Sequence, residues 1–524
     1  MMFRENRTDS VHSRRMFLKT AAAAAGISCM EHAPLALAAT TKPERIRQVF
    51  LDLNNIHKWD HSNGDTWDPF WADDGNLYAF NCDGRGFGTE KRNLAFNKLA
   101  GSVCDGLAGS SVNSMDAYGR SGQKGPDGAT WKACGQECID GVFYAFVSRN
   151  TYGKDSGDPL MRQTAVNSSL IKSTNRGQTW TRPAEENYSR PMWPGPAFGA
   201  PFFVHYGRNG GAVSHDGADR YVYASSTNGF WNDGDKYILG RVERSKLPSL
   251  QSADWSYYTG GDGSRDTNWS GHIADAHPIL AALAHCGQGP ICYIPAFNRY
   301  LLVAWYNTAK LTKWFEPNRM RYDFYQAEQL WSPWTLIGSH EDRFISSGHM
   351  YGPSLCARFQ QREGSEIRMS MFTAGCPFED VPSGLYKMWE IPLILRTESA
   401  PPAQTIRADD PRITYHGQWH GGNERLTSLS RHTRYTNTQG SSAELKFDGT
   451  GIAFYTEKGP EFGHVEVSLD GHQSASLNLL TATFPRISHV QAFAISGLGK
   501  GSHALRITNR GASFAAVEKF EVIS

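Results

Sequence analysis

Short apolar stretches rich in β-branched and aromatic residues alternate with polar turns along most of the chain, from residue 46 to residue 400. Stretches of this kind, bounded by Gly, Asn and Asp, are typical of β-strands. They form five groups of about 70 residues, and each group is long enough for four strands and their loops. The pattern predicts an all-β protein in which residues 39–400 form a five-bladed β-propeller.

The C-terminal part of the chain has a cleaner alternation of apolar and polar positions. Between residues 407 and 524, alternating stretches are separated by Asp-Gly and Gly-Lys-Gly turns, which predicts a jelly-roll-like β-sandwich. A linker is predicted over residues 401–406, which include Pro401 and Pro402. The strand and turn spacing resembles that of galactose-binding-like sandwiches appended to bacterial polysaccharide-degrading enzymes. The resemblance implies carbohydrate binding, with Trp419, His420 and Tyr455 as candidate contacts; simple packing against the propeller is the alternative.

One hairpin supports the propeller prediction. Residues 173–180, STNRGQTW, resemble the Asp-box S-x-D-x-G-x-T-W of sialidase-like propellers, with Asn175 in the place of the aspartate. A short polar side chain bonds its own loop there, Gly177 takes a positive φ and Trp180 packs into the blade. The resemblance implies the fold, and it places this hairpin away from a catalytic centre.

The N-terminus predicts export. Residues 13–19, SRRMFLK, match the twin-arginine consensus S-R-R-x-F-L-K, and an apolar run and an Ala-Leu-Ala cleavage site at 36–38 follow. The apolar run is too short to anchor the chain in a membrane. We therefore expect a signal peptide over residues 1–38, passage through the twin-arginine translocation machinery, and a periplasmic or secreted protein without a membrane anchor.

Charge and cysteine content refine this picture. The chain carries 53 basic and 52 acidic residues, which leaves no bulk field to attract nucleic acid or an anionic membrane. Eight cysteines remain beyond the signal peptide, and an oxidising compartment favours disulfides. Pairing of sequence neighbours predicts the bridges 82–104, 134–138, 286–292 and 356–376.

Residues 64–84, GDTWDPFWADDGNLYAFNCDG, combine acids with aromatic rings. Asp65 and Asp68 precede the apolar run, Asp83 follows it, and Trp67 lies between the first two. A sugar-cleaving site needs a proton donor or base and flat apolar surfaces. We predict that this stretch is the inner strand of the first blade, where loops converge on a central pocket. The alternative is an ordinary strand capped by aspartate turns.

The loops of the other blades supply further candidates for the same pocket. Glu137 and Asp140 belong to the second blade, and histidines precede the fourth and fifth inner strands. The candidate catalytic carboxylates are Asp65, Asp68, Asp83 and Glu137. The candidate substrate-binding residues are Trp67, Asp140, Arg208, His277, His349 and Tyr351. No cofactor or metal ligand is assigned. A structural calcium held by His277 or His349 is the alternative, and the sequence shows no full set of oxygen ligands for it.

Two resemblances imply glycoside hydrolysis. Asp68, in a Trp-Asp-Pro context, resembles the general base that opens the first blade of five-bladed arabinanase-type hydrolases. Asp65 and Asp83 resemble instead the acid pair of bacterial endo-arabinanases that act on D-arabinan. Both imply a carbohydrate substrate cleaved by two carboxylates, and they differ in which aspartates carry the reaction.

Two other functions remain open. The segments PFFVHYGRN and RYVYASSTNG resemble propeller polysaccharide lyases that degrade uronate-containing glycans. That resemblance implies proton transfer by His205 or Tyr206 and neutralisation of the carboxylate by Arg208. Adjacent strand residues point to opposite faces, however, so His205 and Tyr206 cannot both enter one pocket. The remaining alternative is a non-catalytic glycan-binding protein.

Overall fold

A computed structural model describes most of the chain beyond the predicted signal peptide. The described residues are 44–52, 56–102, 106–151, 164–182, 190–211, 214–227, 234–281, 283, 286–307, 320–342, 350–363, 366–375, 386–397, 404–421, 433–480, 487–496 and 498–523. Their regular structure is β-strand, apart from short 3-10 turns at Asp116–Tyr118, Arg208–Gly210, His215–Gly217, Leu247–Ser249, Ser252–Asp254, Asp266–Asn268 and Ile273–Asp275. Within this part of the chain, no helix has the length and apolar character needed to cross a membrane.

The first unit is built from five sheets, preceded by β1 (Ile46–Leu51) and β2 (His57–Lys58). Blade one contains β3 (Phe70–Trp71), β4 (Leu77–Gly84), β5 (Arg92–Ser102) and β6 (Gly106–Asn113). Blade two contains β7 (Thr130–Ile139), β8 (Val142–Thr151), β9 (Thr164–Ser173) and β10 (Trp193–Pro194). Blade three contains β11 (Pro201–His205), β12 (Tyr221–Thr227), β13 (Tyr237–Glu243), β14 (Trp255–Tyr258), β15 (Trp269–Ser270) and β16 (Pro278–Leu280). Blade four contains β17 (Ile291–Ile294), β18 (Arg299–Asn307), β19 (Met320–Ala327) and β20 (Thr335–Asp342), and blade five contains β21 (Met350–Glu363), β22 (Glu366–Gly375) and β23 (Met388–Thr397).

The five sheets close into a ring. The first strands of the blades lie side by side around a central axis, in the order β3, β7, β11, β17, β21 and back to β3. β11 and β17 even pair in parallel, with Val204 opposite Ile291. β1 pairs antiparallel with β23 as the outer strand of blade five. The first strand of the domain therefore closes the ring by pairing with its last strand. The predicted five-bladed propeller is confirmed.

Blade one differs from the prediction in one respect. The run LYAFNCDG is β4, the second strand, and the inner strand is the two-residue β3. Pro69 cannot donate to a strand ladder, and a tight turn after Trp71, in which Gly75 has a φ of 84°, sends the chain back. Asp65 and Asp68 therefore precede the inner strand β3, while Asp83 lies near the end of β4, its antiparallel neighbour. Both positions lie at the same end of the blade, which we call the upper end.

The Asp-box hairpin has the predicted geometry. Asn175 Oδ1 accepts a hydrogen bond from the Thr179 amide at 2.9 Å, and Gly177 has a φ of 83°. The Trp180 ring packs against Phe80 and Phe96 with centroid separations of 5.1 Å. The hairpin thus fastens the outer part of blade two to blade one.

The second unit is a β-sandwich, as predicted. One sheet has the order β24 (Gln404–Arg407), β35 (Lys519–Ile523), β29 (Gly451–Lys458) and β32 (Ile487–Ser496). A second has the order β25 (Ile413–His416), β28 (Ser442–Asp448), β33 (Ser502–Asn509), β30 (His464–Leu469) and β31 (His472–Asn478). A small sheet joins β26 (His420–Gly421), β27 (Arg434–Thr436) and β34 (Ala515–Val517). β24 includes residues 404–406, which the sequence had assigned to the linker.

The sandwich docks on the outer strands of blade five. Phe50 and Ile394 of the propeller form a small buried cluster with Ala453, Ala494 and Ile523 of the sandwich. The Gln491 side-chain amide also donates to the carbonyl of Leu51, at 2.6 Å. Because Phe50 and Leu51 belong to the closing strand β1, the sandwich covers the seam of the propeller ring.

The cysteines do not follow the predicted pairing where both partners are described. Cys134, Cys138 and Cys292 are free thiols, so the 134–138 and 286–292 bridges are absent. Cys134 contacts the hydroxyl of Ser148 and Cys138 contacts the carboxamide of Asn209, because the two side chains face different neighbours. Cys104 and Cys376 lie outside the described residues, as does the predicted signal peptide.

The seam cluster generates a stability prediction. Phe50→Ala empties a site enclosed by both units, and we expect a loss of about 3–5 kcal/mol in the free energy of unfolding. The control is Leu336→Ala, because Leu336 is 51% exposed and should change stability by less than about 0.5 kcal/mol. Urea unfolding of both variants checks the prediction, and equal small effects would show that the seam contributes no stability.

Candidate functional site

A histidine between two acids lies on the propeller axis. His205 Nε2 is 3.0 Å from Asp68 Oδ1, and His205 Nδ1 is 2.7 Å from Glu137 Oε2. All three residues are almost completely buried, with exposed fractions of 1% for Asp68 and 2% each for Glu137 and His205. We call these residues the central triad. The acid that faces Glu137 is therefore Asp68, and the imidazole separates the two carboxylates.

The central triad is fully hydrogen-bonded. Asp68 Oδ2 accepts a hydrogen bond from the backbone N–H of Gln136 at 3.0 Å, and Asp68 Oδ1 accepts one from the Ser354 hydroxyl at 2.5 Å. Glu137 Oε1 accepts from the amide of Cys138 at 2.9 Å. The participants come from the inner strands of blades two, three and five and, in the case of Asp68, from the segment that leads into the inner strand of blade one. The network therefore ties four blades together at their common centre.

The electrostatics of the triad favour a charged histidine. Burial by itself lowers the pKa of His205, but the carboxylates of Asp68 and Glu137 outweigh that effect and raise it to about 10. Burial raises the pKa of Glu137, and His205 opposes this rise. An imidazolium can donate from both ring nitrogens, one to each acid. The triad thus works as a buried ion cluster with little access for a substrate.

Asp65 and Asp83 form a second acidic group at the upper end. Tyr351 donates to Asp65 Oδ2 at 2.6 Å, and Thr66 donates to Asp65 Oδ1 at 3.0 Å. Lys132 pairs with Asp83 Oδ2, while Asp83 Oδ1 has no hydrogen-bond partner among the described residues. Both aspartates are partly exposed. We call Asp65 and Asp83 the upper carboxyl pair.

The surroundings of the upper carboxyl pair raise the pKa of one acid towards neutral pH. Although its edge is accessible, Asp65 is closely surrounded by protein, and burial together with the Asp83 carboxylate raises its pKa to about 6. Lys132 and the bonds from Tyr351 and Thr66 act in the opposite direction. An acid with this pKa can exchange a proton at physiological pH. Its neighbour Asp83 is ion-paired with Lys132, so the two carboxyls are placed in different environments.

A narrow cavity opens between these two acidic groups. Its lining consists of Thr66, Trp67, Phe202, Gln288, Trp305, Gly352, Pro353 and Ser354. Thr66 and Gly352 adjoin Asp65 and Tyr351 in the chain, and Ser354 bonds Asp68. We call this space the upper cavity. Its walls are mostly apolar, and the rings of Trp67, Phe202 and Trp305 that form them are almost completely buried.

Several predicted substrate-binding residues lie elsewhere. Asp140 and Arg208 follow the inner strands, at the lower end of the propeller. The Asp140 side chain is 63% exposed and pairs with Arg244 at 3.0 Å, while Arg208 donates to the Asp73 carbonyl. His277 is exposed at the rim of blade three, and its amide bonds the Tyr258 carbonyl. Only Trp67 and Tyr351, of the predicted binding residues in the described part of the chain, adjoin the upper cavity.

His349 lies outside the described residues. In the part of the chain that the structure covers, no group of three or more His, Cys, Asp or Glu side chains is arranged to hold a metal ion.

The three residues of the lyase alternative are separated. His205 points to the axis, and Tyr206 points away, where its hydroxyl bonds that of Tyr300 at 3.0 Å. Arg208 is engaged at the lower end. The alternation of side chains along β11 thus acts as the sequence analysis expected, and no common lyase pocket results.

Some site residues had no signal in the sequence. Lys132 and Ser354 occupy unremarkable strand stretches, and their partners Asp83 and Asp68 are distant in sequence. Tyr386 also adjoins the upper carboxyl pair. Burial is the main cause of the raised pKa of its hydroxyl, and the nearby charges of Asp65 and Asp83 raise it further. Strand alternation could have predicted on which face of β7 the Lys132 side chain lies. Only the closed ring, however, brings Lys132 next to Asp83.

The sandwich candidates divide into two groups. Trp419 packs against Tyr415 at 5.0 Å, and His420 stacks on Tyr435 at 5.4 Å; both lie at the surface of the sandwich. Tyr455 instead packs against the seam cluster and bonds Glu521 at 3.1 Å. Tyr455 therefore stabilises the seam and is poorly placed for glycan contact.

Comparison with known proteins gives weak likenesses. No protein-family model matches the chain. A stretch of 110 residues is 30% identical to A type blood N-acetyl-alpha-D-galactosamine deacetylase of Flavonifractor plautii. That stretch covers 21% of this chain and only 14% of the deacetylase, so most of the relative has no counterpart in the match.

Solved structures also give weak likenesses. The exo-beta-1,3-galactanase of Phanerochaete chrysosporium is 11% identical, with a TM-score of 0.41 over 91% of this chain and 100% of that chain. The alpha-L-arabinofuranosidase of Podospora anserina is 10% identical, with a TM-score of 0.32 over 69% and 95% respectively. Likenesses of this strength transfer no residue roles to this chain.

The central triad generates a prediction with a defined pH dependence. His205→Leu leaves two buried carboxylates uncompensated, and we expect a loss of about 3–5 kcal/mol at pH 7. The raised pKa means that the stabilisation is complete below about pH 6.5 and disappears as the pH rises through about 10. The difference between wild type and variant in urea unfolding should therefore shrink from pH 7 to pH 10.

The matched control for this experiment is His277→Leu, which changes an exposed histidine and should alter stability by less than about 0.5 kcal/mol. A cost for His205→Leu that is the same at pH 7 and pH 10 would contradict a charged histidine.

Proposed function

We propose that the protein is a glycan-active enzyme, and specifically a glycoside hydrolase that uses the upper carboxyl pair. The observation that carries the proposal is that Asp65 and Asp83, two partly exposed acids, lie close enough at the upper end for the Asp83 carboxylate to help raise the pKa of Asp65. Glycoside hydrolysis needs one carboxyl that gives a proton and one carboxylate that acts as base or nucleophile. Asp65 and Asp83 have different surroundings, so one can act as the proton donor and the other as the carboxylate.

Asp65 is the general acid in this proposal. Its pKa of about 6 leaves a protonated fraction near neutral pH, which suits donation to the leaving oxygen. Asp83 is the partner carboxylate: Lys132 holds one of its oxygens, and the other lacks a partner among the described residues. In this proposal Asp83 acts as base or nucleophile once a substrate or a water reaches this buried oxygen.

Asp68 and Glu137 take a positioning role in this proposal. Each already accepts hydrogen bonds that occupy its oxygens, and their exposed fractions of 1% and 2% leave no path for a glycan. Ser354 connects the lining of the upper cavity to Asp68. The central triad thereby fixes the floor of the cavity beneath the acids that react.

The predicted export route fits a glycan outside the cytoplasm. A periplasmic or secreted location, inferred from the twin-arginine motif at residues 13–19, would bring the enzyme to polysaccharides of the cell envelope or the surroundings. The sandwich would keep such a substrate near the propeller if Trp419 and His420 contact sugar.

Substitution of the upper carboxyl pair tests the reaction. Asp65→Asn and Asp83→Asn should each lower kcat/KM at least about 100-fold, because each removes one half of an acid–base pair. Asp140→Asn is the control, since Asp140 lies at the lower end and is 63% exposed. Reducing ends released from neutral and uronate-containing polysaccharides measure the hydrolysis.

The same reactions distinguish other chemistry. Ultraviolet absorbance of an unsaturated uronate would indicate a lyase, release of acetate a deacetylase, and binding without products a lectin. Full hydrolysis by both Asp→Asn variants would contradict the assignment of the upper carboxyl pair.

The raised pKa of Asp65 predicts a pH profile. As a general acid it must be protonated in the free enzyme, so kcat/KM should fall as the pH rises through about 6. Lys132→Met should move this descending limb to higher pH, because the ammonium group favours the ionised form of Asp65. A limb that stays in place in this variant, or activity that rises through pH 6, would exclude Asp65 as the acid.

A further inference from the structure

The upper carboxyl pair is built on two chain segments that lie unusually close together. Asp65 and Cys82 form a single antiparallel bridge. The backbone N–H of Asp65 donates to the Cys82 carbonyl at 3.0 Å, and the backbone N–H of Cys82 donates to the Asp65 carbonyl at 2.8 Å. Next to this bridge, a Cβ atom on Gly84 would come within 2.5 Å of the Gly64 Cα atom, so only glycine permits the approach. The backbones that carry Asp65 and Asp83 are therefore fixed relative to each other.

Thr66, the residue after this bridge, has a left-handed backbone. Its φ is 57°, which is unfavourable for an L-residue and especially for one with a branched Cβ. Among the described residues with positive φ, Thr66 is the one with a branched Cβ, and most of the others are glycine, aspartate or asparagine. Strained residues of this kind persist where the surrounding structure holds them, and they concentrate at functional sites.

The left-handed turn brings the side chains of Asp65 and Thr66 to the same side of the chain. In an extended strand, adjacent side chains face opposite sides. Here the Thr66 hydroxyl donates to Asp65 Oδ1 at 3.0 Å, while Tyr351 of blade five donates to Asp65 Oδ2 at 2.6 Å. Each oxygen of the Asp65 carboxyl therefore has one donor, and the donor at Oδ1 depends on the strained turn.

We propose that Thr66 is a positioning residue of the upper carboxyl pair, whose narrow left-handed conformation and hydroxyl together hold the Asp65 carboxyl in the orientation for proton donation. This inference rests on the proposed function and adds a residue to the same site. Thr66 is only 8% exposed, so it acts through Asp65 and needs no contact with the glycan.

Substitutions at Thr66 separate the hydroxyl from the backbone conformation. Thr66→Val keeps the branched shape and removes the donor, and Thr66→Ala removes the same donor with less bulk if valine prevents folding. Thr66→Gly also widens the range of φ that the turn can adopt. We expect kcat on the acidic plateau to fall about tenfold in Thr66→Val and further in Thr66→Gly, with KM changed less than about threefold. Thr66→Ser keeps the donor and should stay within about threefold of wild type.

The proton affinity of Asp65 gives a second readout that a merely structural role would not move. The Thr66 hydroxyl favours the ionised form of Asp65, so Thr66→Val should raise the pKa of Asp65 and move the descending limb of kcat/KM to higher pH. Carbon-13 NMR of labelled aspartate should record the same rise in the free protein, without any substrate.

Asn298→Gly is the matched control for these variants. Asn298 has a φ of 50°, and its side chain accepts a hydrogen bond from the Tyr293 hydroxyl at 2.7 Å. It therefore shares with Thr66 a left-handed backbone and a local side-chain bond, but it lies in the turn between β17 and β18. Its kcat and its descending limb should equal those of wild type.

Each remaining outcome decides the matter. Wild-type kcat and an unmoved pKa of Asp65 in Thr66→Val and Thr66→Gly would overturn the positioning role, as would a loss in Thr66→Ser as large as that in Thr66→Val. If Asp65→Asn abolishes hydrolysis while the Thr66 variants change nothing, the hydrolase stands without this inference. If wild type cleaves no glycan but Thr66→Val raises the pKa of Asp65 in the NMR titration, the hydrolase is refuted and the hold of Thr66 on the carboxyl stands.

Discussion

A single charged imidazole between two buried carboxylates fixes the centre of this propeller. Burying an acid is costly unless charge and hydrogen bonds compensate it, and His205 compensates both Asp68 and Glu137. The three groups belong to different blades, and Ser354 adds a further blade through its bond to Asp68. If any one of these groups moved, another buried charged group would lose its partner. The blades are therefore held in one register around the axis.

This arrangement separates the acids of the propeller by their surroundings. Asp68 and Glu137 have their oxygens occupied and their surfaces covered, so their charge serves the fold. Asp65 and Asp83 lie at the upper end, where protein surrounds them on most sides and leaves an edge accessible. Partial burial shifts the proton affinity of Asp65, and the ion pair with Lys132 sets Asp83 apart. Proton transfer is therefore favoured at the edge of the rigid centre.

The periphery supports the same rigidity by another means. The ring closes through β1, whose partner strand β23 comes from the other end of the domain. Phe50 and Leu51 of this closing strand contact the sandwich through an apolar cluster and through Gln491. A closing strand covered in this way separates less readily than one exposed to solvent. We therefore expect the sandwich to stabilise the propeller, whatever it contacts on its outer surface.

Local pattern determined the architecture of this protein. Strand alternation, turn residues and the Asp-box at residues 173–180 are properties of neighbouring residues, so they predicted five blades, a sandwich and the acid-rich stretch at residues 64–84 before any contact was known. The same pattern misplaced the inner strand of blade one, because a two-residue strand such as β3 leaves almost no periodic signal. Tertiary structure alone decided which acids are locked and which are accessible: Asp65 and Asp68 are three residues apart, yet one meets Tyr351 and the other His205. The pairing of Lys132 with Asp83 likewise depends on ring closure, since charge, burial and hydrogen-bond satisfaction are set by neighbours distant in sequence.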